Sequence, residues 1–124
     1  MKKILIIEDD QALALAYEKK FSQAAFAVER AEDGHAGLSK ATQFEPDIII
    51  LDIMLPGGMN GFDILRQLKL SNTTKNIPVI VMTNLAEQGQ SALELGAEEY
   101  LLKVNISLKD LVKKVKKIVK NKNH

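Results

Sequence analysis

The sequence predicts a three-layer α/β/α domain built on a doubly wound, five-stranded parallel sheet with five helices. Short apolar, β-branched runs stand at residues 4–7, 48–51 and 79–82, with weaker ones at 26–31 and 100–102. Helix-like segments separate them, so the chain alternates strand and helix throughout. The runs are apolar at successive positions, as strands need when both faces of a parallel sheet are covered. A chain of 124 residues suits one such domain, expected to span 1–124 with no second, output domain after it.

Each element has a local reason. After the first strand, Asp10 can cap a helix whose apolar stripe is Leu13, Ala16, Tyr17 and Phe21. A third helix is expected after Gly61, flanked by Phe62, Leu65, Leu68 and Lys69. A fourth ends at Leu95, where Gly96 supplies a C-cap. The last is clearest: Ser107 caps it, and Leu108, Leu111, Val112, Val115, Ile118 and Val119 repeat at i, i+3, i+4, i+7.

Composition narrows the function. The 17 basic and 16 acidic residues give a net charge of +1, which argues against a general polyanion binder. There is no cysteine, hence no disulfide and no thiolate zinc site. No apolar run approaches the roughly 20 residues of a membrane span. The start, Met1-Lys2-Lys3 before Ile4-Leu5-Ile6-Ile7, ends at Glu8-Asp9-Asp10 and is too short for a signal peptide. A cytoplasmic protein with no membrane contact is expected.

In a doubly wound sheet the functional crevice lies beyond the carboxyl ends of the strands, where strand order reverses. The first strand ends in Glu8-Asp9-Asp10, the third in Asp52, the fourth in Thr83, and the fifth runs Tyr100-Leu101-Leu102-Lys103. Several carboxylates on one rim repel unless a cation sits among them, and hard oxygen donors suit Mg²⁺ (or Mn²⁺). A carboxylate oxygen beside such a cation can attack phosphorus. The acyl phosphate so formed needs charge neutralisation, which Lys103 and the Thr83 hydroxyl can share. The residues therefore read as a phosphoryl acceptor, with Asp52 as the nucleophile.

From Lys2 to about Val119 the chain resembles a response-regulator receiver domain, the phosphorylated half of two-component systems. The motifs are "ILIIEDD" with Glu8 and Asp9, "IIILDIMLPGGMNGFD" with Asp52, "VIVMTN" with Thr83, and "GAEEYLLK" with Tyr100 and Lys103. The resemblance implies a flavodoxin-like sheet of order 2-1-3-4-5. It implies that Asp52 takes a phosphoryl group from the phosphohistidine of a sensor histidine kinase or phosphotransfer protein. Asp9 and Asp52 are then direct Mg²⁺ ligands, Glu8 binds mainly through water, and the main-chain carbonyl of Met54 completes the set. Lys103 pairs with the phosphoryl group. Thr83 and Tyr100 form a switch pair that reshapes the face of helix 4, strand 5 and helix 5, where an output partner docks. The resemblance also implies a monomer or a weak, phosphorylation-linked dimer, and a phosphoacceptor with self-catalysed chemistry rather than an enzyme.

Four features depart from the family pattern. Gly57 and Gly58 lengthen the loop after Asp52 by one residue, and the segment from Thr83 to Tyr100 is about two residues short, so a short fourth helix or a tight leading loop is expected. Asn84 replaces a small residue. Val104 replaces the usual proline after Lys103, so the Lys103–Val104 bond is expected to be trans, or else cis held by strain. Met54 and Leu85, two residues after the acceptor and the threonine, are expected to form an apolar gate over the path of hydrolytic water, making the phosphorylated form long-lived. Asn84, ranked second in this gate, works the other way, since its amide can hold a water if it faces the phosphate.

Rival readings fit less well. A haloacid-dehalogenase-like phosphohydrolase needs a second aspartate two residues after the first, where Met54 stands. A flavin binder of the same fold would need a first loop that cradles phosphate, and Glu8-Asp9-Asp10 would repel one. A phosphorylation-independent adaptor would be expected to have lost the acceptor or the acidic pair. The lysines at 113, 114, 116, 117 and 120 alternate with a core-facing stripe and read as a solvated helix face rather than a nucleic-acid arm. His35, beside Gly34, reads as a surface residue.

Overall fold

The computed structural model describes residues 1–55 and 57–122, without the side chain of Lys122, so Pro56 of the long motif and the terminal His124 lie outside it. Five strands, β1 (Lys2–Ile7), β2 (Phe26–Ala31), β3 (Ile48–Asp52), β4 (Val79–Thr83) and β5 (Glu99–Leu102), alternate with five helices, α1 (Gln11–Gln23), α2 (Gly34–Phe44), α3 (Gly61–Leu70), α4 (Ala86–Glu94) and α5 (Leu108–Lys122). All strand pairings are parallel, and the order is β2-β1-β3-β4-β5. This is the flavodoxin-like arrangement the sequence predicts.

The period-2 alternation of strand side chains divides the core into two layers. Leu5, Ile7, Ile49, Leu51, Val79 and Val81 face Ile64, Leu65, Leu68 and Ala92 of α3 and α4. Ile4, Ile6, Ile48, Ile50, Ile80 and Met82 face Tyr17, Phe21 and the α5 stripe of Leu111, Val112, Val115, Ile118 and Val119. Each fully buried aliphatic chain is worth about 1.5–3 kcal/mol, so the central strands β1, β3 and β4 are the rigid frame of the molecule. Their carboxyl ends are consequently fixed points.

The caps follow the sequence with small adjustments. Asp10 accepts from the Leu13 N–H at 3.1 Å and Ser107 Oγ from the Asp110 N–H at 3.1 Å. Gly96, at φ +105°, lies one residue beyond the C-cap Leu95, because α4 ends at Glu94 rather than Leu95. Asn60 and Asp63 form a reciprocal capping box at the start of α3. Between Thr83 and α4 only Asn84 and Leu85 intervene, and α4 has nine residues, so the short segment gives both a tight loop and a short helix. No cis peptide bond occurs among the described residues, and Lys103–Val104 is trans.

Candidate functional site

Strand order reverses between β1 and β3, and the site lies at their carboxyl ends. Register aligns Ile7 with Leu51, so the next residues, Glu8 and Asp52, emerge side by side. Both are 3% exposed. Asp9 is exposed at the rim. One carboxylate oxygen each from Glu8, Asp9 and Asp52 lie within 4.8 Å of one another. Asp10 is engaged elsewhere, as the cap of α1.

Lys103 offsets part of this charge. It opens a 3₁₀ turn after β5, and its Nζ lies 3.0 Å from Glu8 Oε1 and 3.0 Å from Asp52 Oδ2. The other Asp52 oxygen, Oδ1, accepts from the Met54 N–H at 3.1 Å, and Glu8 Oε2 accepts from the Asp10 N–H at 3.2 Å. Both carboxylates are thus held from two sides.

Electrostatics records the crowding. Burial, followed by its contact with Asp52, pushes the Glu8 carboxyl up to about 7 against the opposing pull of Lys103. Burial works against the Lys103 charge, but Asp52 and Glu8 outweigh it and hold the ammonium above its ordinary value. Tyr17, a stripe residue of α1, is raised to about 12 by burial and then by the Glu8 charge. A second cation among these oxygens would relieve the repulsion that Lys103 alone leaves. Three convergent carboxylates form a donor set that fits a hard divalent ion.

The loop after Asp52 is fixed at one point. Gly61 N–H donates to Ile53 O at 2.9 Å, and a Cβ on Gly61 would stand 2.5 Å from Ile53 Cα and 2.6 Å from Asp52 O. No side chain fits there, so the start of α3 presses directly on the strand end carrying Asp52. Farther along the loop, Gly57 (φ +90°) and Gly58 have open space around them. Gly57 and Gly58 therefore lack the tight packing that fixes Gly61.

A cavity of about 230 Å³ opens over the acceptor, lined by Asp52, Met54, Thr83, Asn84, Leu85, Gln88 and Lys103. The sequence reading anticipated all of these except Gln88. Met54 and Leu85 are 67% and 51% exposed, so they stand at the cavity mouth. Thr83 is 1% exposed; its oxygen accepts from the Leu85 N–H at 3.2 Å, and its hydroxyl donates to Gln88 Oε1 at 2.5 Å. Gln88 is the third residue of α4, and side chains in a helix lean toward its N-terminus. The two-residue loop brings that turn onto Thr83; the short spacing from Thr83 to Tyr100 was the one signal that could have pointed to it.

Tyr100 is half-buried on β5, with its hydroxyl 3.3 Å from Gln90 Nε2. Its ring lies against α4 where a Cβ on Gly89 would be 2.1 Å away. His35 is exposed at the start of α2, apart from these residues. Along α5, Lys113, Lys116, Lys117 and Lys120 are exposed while Lys114 pairs with Glu99 at 2.7 Å, the solvated face the sequence predicts.

A family model described as response regulator receiver domain matches residues 4–116. The response regulator PleD of Caulobacter vibrioides is 40% identical over 103 residues, covering 82% of this chain and 22% of that protein. The transcriptional regulatory protein CusR of Escherichia coli is 41% identical over 103 residues, covering 82% of this chain and 44% of that protein. The chain spans about half or less of the length of such curated relatives. Among solved structures, the receiver domain of a Francisella response regulator superposes with a TM-score of 0.89 at 28% identity, covering 98% of each chain. No helix among the described residues is long and apolar enough to cross a membrane.

Proposed function

The chain belongs to the response regulator receiver domain family, the phosphoacceptor module of two-component signalling, and from that premise we propose that Asp52 accepts the phosphoryl group here. The observation that carries the assignment is the ammonium of Lys103, 3.0 Å from oxygens of both Glu8 and Asp52, with Lys103 and Asp52 in the lining of the cavity. Asp52 is the strand-end carboxylate that this cavity exposes to a donor.

In the proposed transfer an Asp52 oxygen attacks phosphorus as the donor's P–N bond breaks, the electron pair leaving with the imidazole of a kinase or phosphotransfer phosphohistidine. The Met54 N–H on Oδ1 fixes the carboxylate plane for that approach. Lys103 turns from the carboxylate pair toward the phosphoryl oxygens as charge moves there. Glu8, Asp9 and Asp52, with the Met54 carbonyl, would hold Mg²⁺ or Mn²⁺, which when bound neutralises charge on the carboxylates and the incoming phosphoryl group. The chain accelerates its own modification and is not a turnover enzyme.

Phosphorylation adds about −1.5 to −2 charge at the strand ends. The Thr83 hydroxyl then turns to a phosphoryl oxygen, Tyr100 rotates inward, and the surface of α4, β5 and α5 changes for an output partner. Met54, Leu85 and Asn84 at the cavity mouth control access of hydrolytic water. The test is incubation with acetyl phosphate and Mg²⁺: the expected result is a mass gain of one phosphoryl group, located at Asp52 and lost in Asp52→Asn.

A further inference from the structure

Three consecutive residues of α4 touch both members of the Thr83/Tyr100 pair. Gln88 Oε1 accepts a hydrogen bond from the Thr83 hydroxyl at 2.5 Å, Gly89 leaves the space that the Tyr100 ring occupies, and Gln90 Nε2 donates to the Tyr100 hydroxyl at 3.3 Å. The other end of the Gln88 amide, Nε2, faces Met54 Sδ at 3.9 Å, across the mouth of the acceptor cavity. Gln88 thus ties the fourth helix to the loop after Asp52 as well as to Thr83.

A hydroxyl has one proton to give. The Thr83 oxygen already accepts from the Leu85 N–H, so its single donation goes to Gln88 and cannot serve a phosphoryl oxygen at the same time. We propose that Gln88 is a positioning residue that restrains the switch: its amide oxygen competes with the phosphoryl group for the Thr83 hydroxyl, and so sets how far the equilibrium favours the unphosphorylated arrangement. This deepens the phosphoacceptor reading and rests on it. Thr83 must release Gln88 to move, and the released amide no longer bridges to Met54, so the first turn of α4 is freed in the same event. Seating of Tyr100 against Gly89 links that freedom to the aromatic ring.

The chemistry gives opposite signs for two substitutions of similar size. Gln88→Met keeps the length and removes the acceptor, while Gln88→Glu offers a charged, stronger acceptor. With fluorotyrosine label, the two tyrosines of the chain, Tyr17 and Tyr100, give separate NMR signals. Without donor, Gln88→Met is expected to move the Tyr100 signal toward its phosphorylated position, a population shift of roughly three- to tenfold, the range one net hydrogen bond supplies. Acetyl phosphate labelling accelerates by a similar factor. Gln88→Glu moves both readouts the other way, and in a Thr83→Val background Gln88→Met has no further effect on either. Labelled wild type with an unchanged Tyr100 signal and rate in Gln88→Met, or an undiminished effect in Thr83→Val, overturns the restraint and leaves the acceptor standing. Wild type that takes no label at all overturns the acceptor assignment and the restraint with it.

Discussion

The Lys103 ammonium lies 3.0 Å from Asp52 Oδ2 while also holding Glu8 Oε1 at 3.0 Å. One cation is shared by two carboxylates that are each 3% exposed. Removing it leaves their repulsion unscreened in a buried place. Lys103→Ala is expected to destabilise the metal-free protein by about 1–3 kcal/mol, the cost of leaving a buried group unpaired, with Mg²⁺ restoring much of that in urea unfolding. The variant should still accept a phosphoryl group yet fail to show the Tyr100 shift, because the ammonium meets charge that appears after transfer. A normal shift in Lys103→Ala spectra would count against this role.

Glu8 predicts a pH dependence with a definite sign. Its carboxyl has an ordinary value of 4.5 and is raised to about 7 in the fold, first by burial and then by Asp52. Between those values the folded state holds the proton that the unfolded state has released. Stability of the metal-free protein therefore falls as pH rises through that window and levels off above it. Glu8→Gln should flatten the slope. Ionised Glu8 is also what a divalent ion requires, so Mg²⁺ affinity should weaken by up to about tenfold per pH unit below the raised value. Titration of Mg²⁺ binding against pH, in wild type and Glu8→Gln, reads both effects.

Gly61 has no room for a methyl group, since the atoms it would strike at 2.5 and 2.6 Å are the backbone of Ile53 and Asp52. Gly61→Ala must push the start of α3 away from the acceptor strand. A loss of about 1–3 kcal/mol, typical of overpacking, is expected together with slower labelling of Asp52. Gly58→Ala, on open space in the same loop, serves as the control and should change neither by much.

The alternation of apolar runs and helical stripes made the architecture readable, because burial on both faces leaves a parallel sheet few other sequences. Glu8, Asp9, Asp52, Thr83 and Lys103 were readable for a related reason: all stand at or beside strand ends, where strand length fixes their position. Gln88 was not. Its place depends on how many residues separate β4 from α4, a matter of loop geometry that carries no periodic signal. Gly61 looked like a helix start, and only the packed backbone shows that it also sets the distance between α3 and Asp52. Residues 88–90, an unremarkable polar patch in sequence, acquire meaning only beside Thr83 and Tyr100.

The phosphorylated form is expected to be long-lived. Met54 and Leu85 stand at the cavity mouth and present apolar surface to incoming water. Water is expected to be poorly held there, so hydrolysis should be slow compared with Met54→Asn and Leu85→Glu, which add groups able to orient it. Decay of labelled protein after removal of the donor measures this. Wild type decaying as fast as the double variant would shift control of lifetime to Asn84 or to Gln88, the polar groups of the same cavity.

The most direct measurement is intact-mass analysis after incubation with acetyl phosphate, run with and without Mg²⁺ and followed by location of the modified residue. The expected result is a gain of one phosphoryl group at Asp52 in wild type, requiring Mg²⁺, much reduced in Asp9→Ala, and abolished in Asp52→Asn. Labelling of Asp52→Asn at the wild-type rate, or of wild type at another residue, would contradict it.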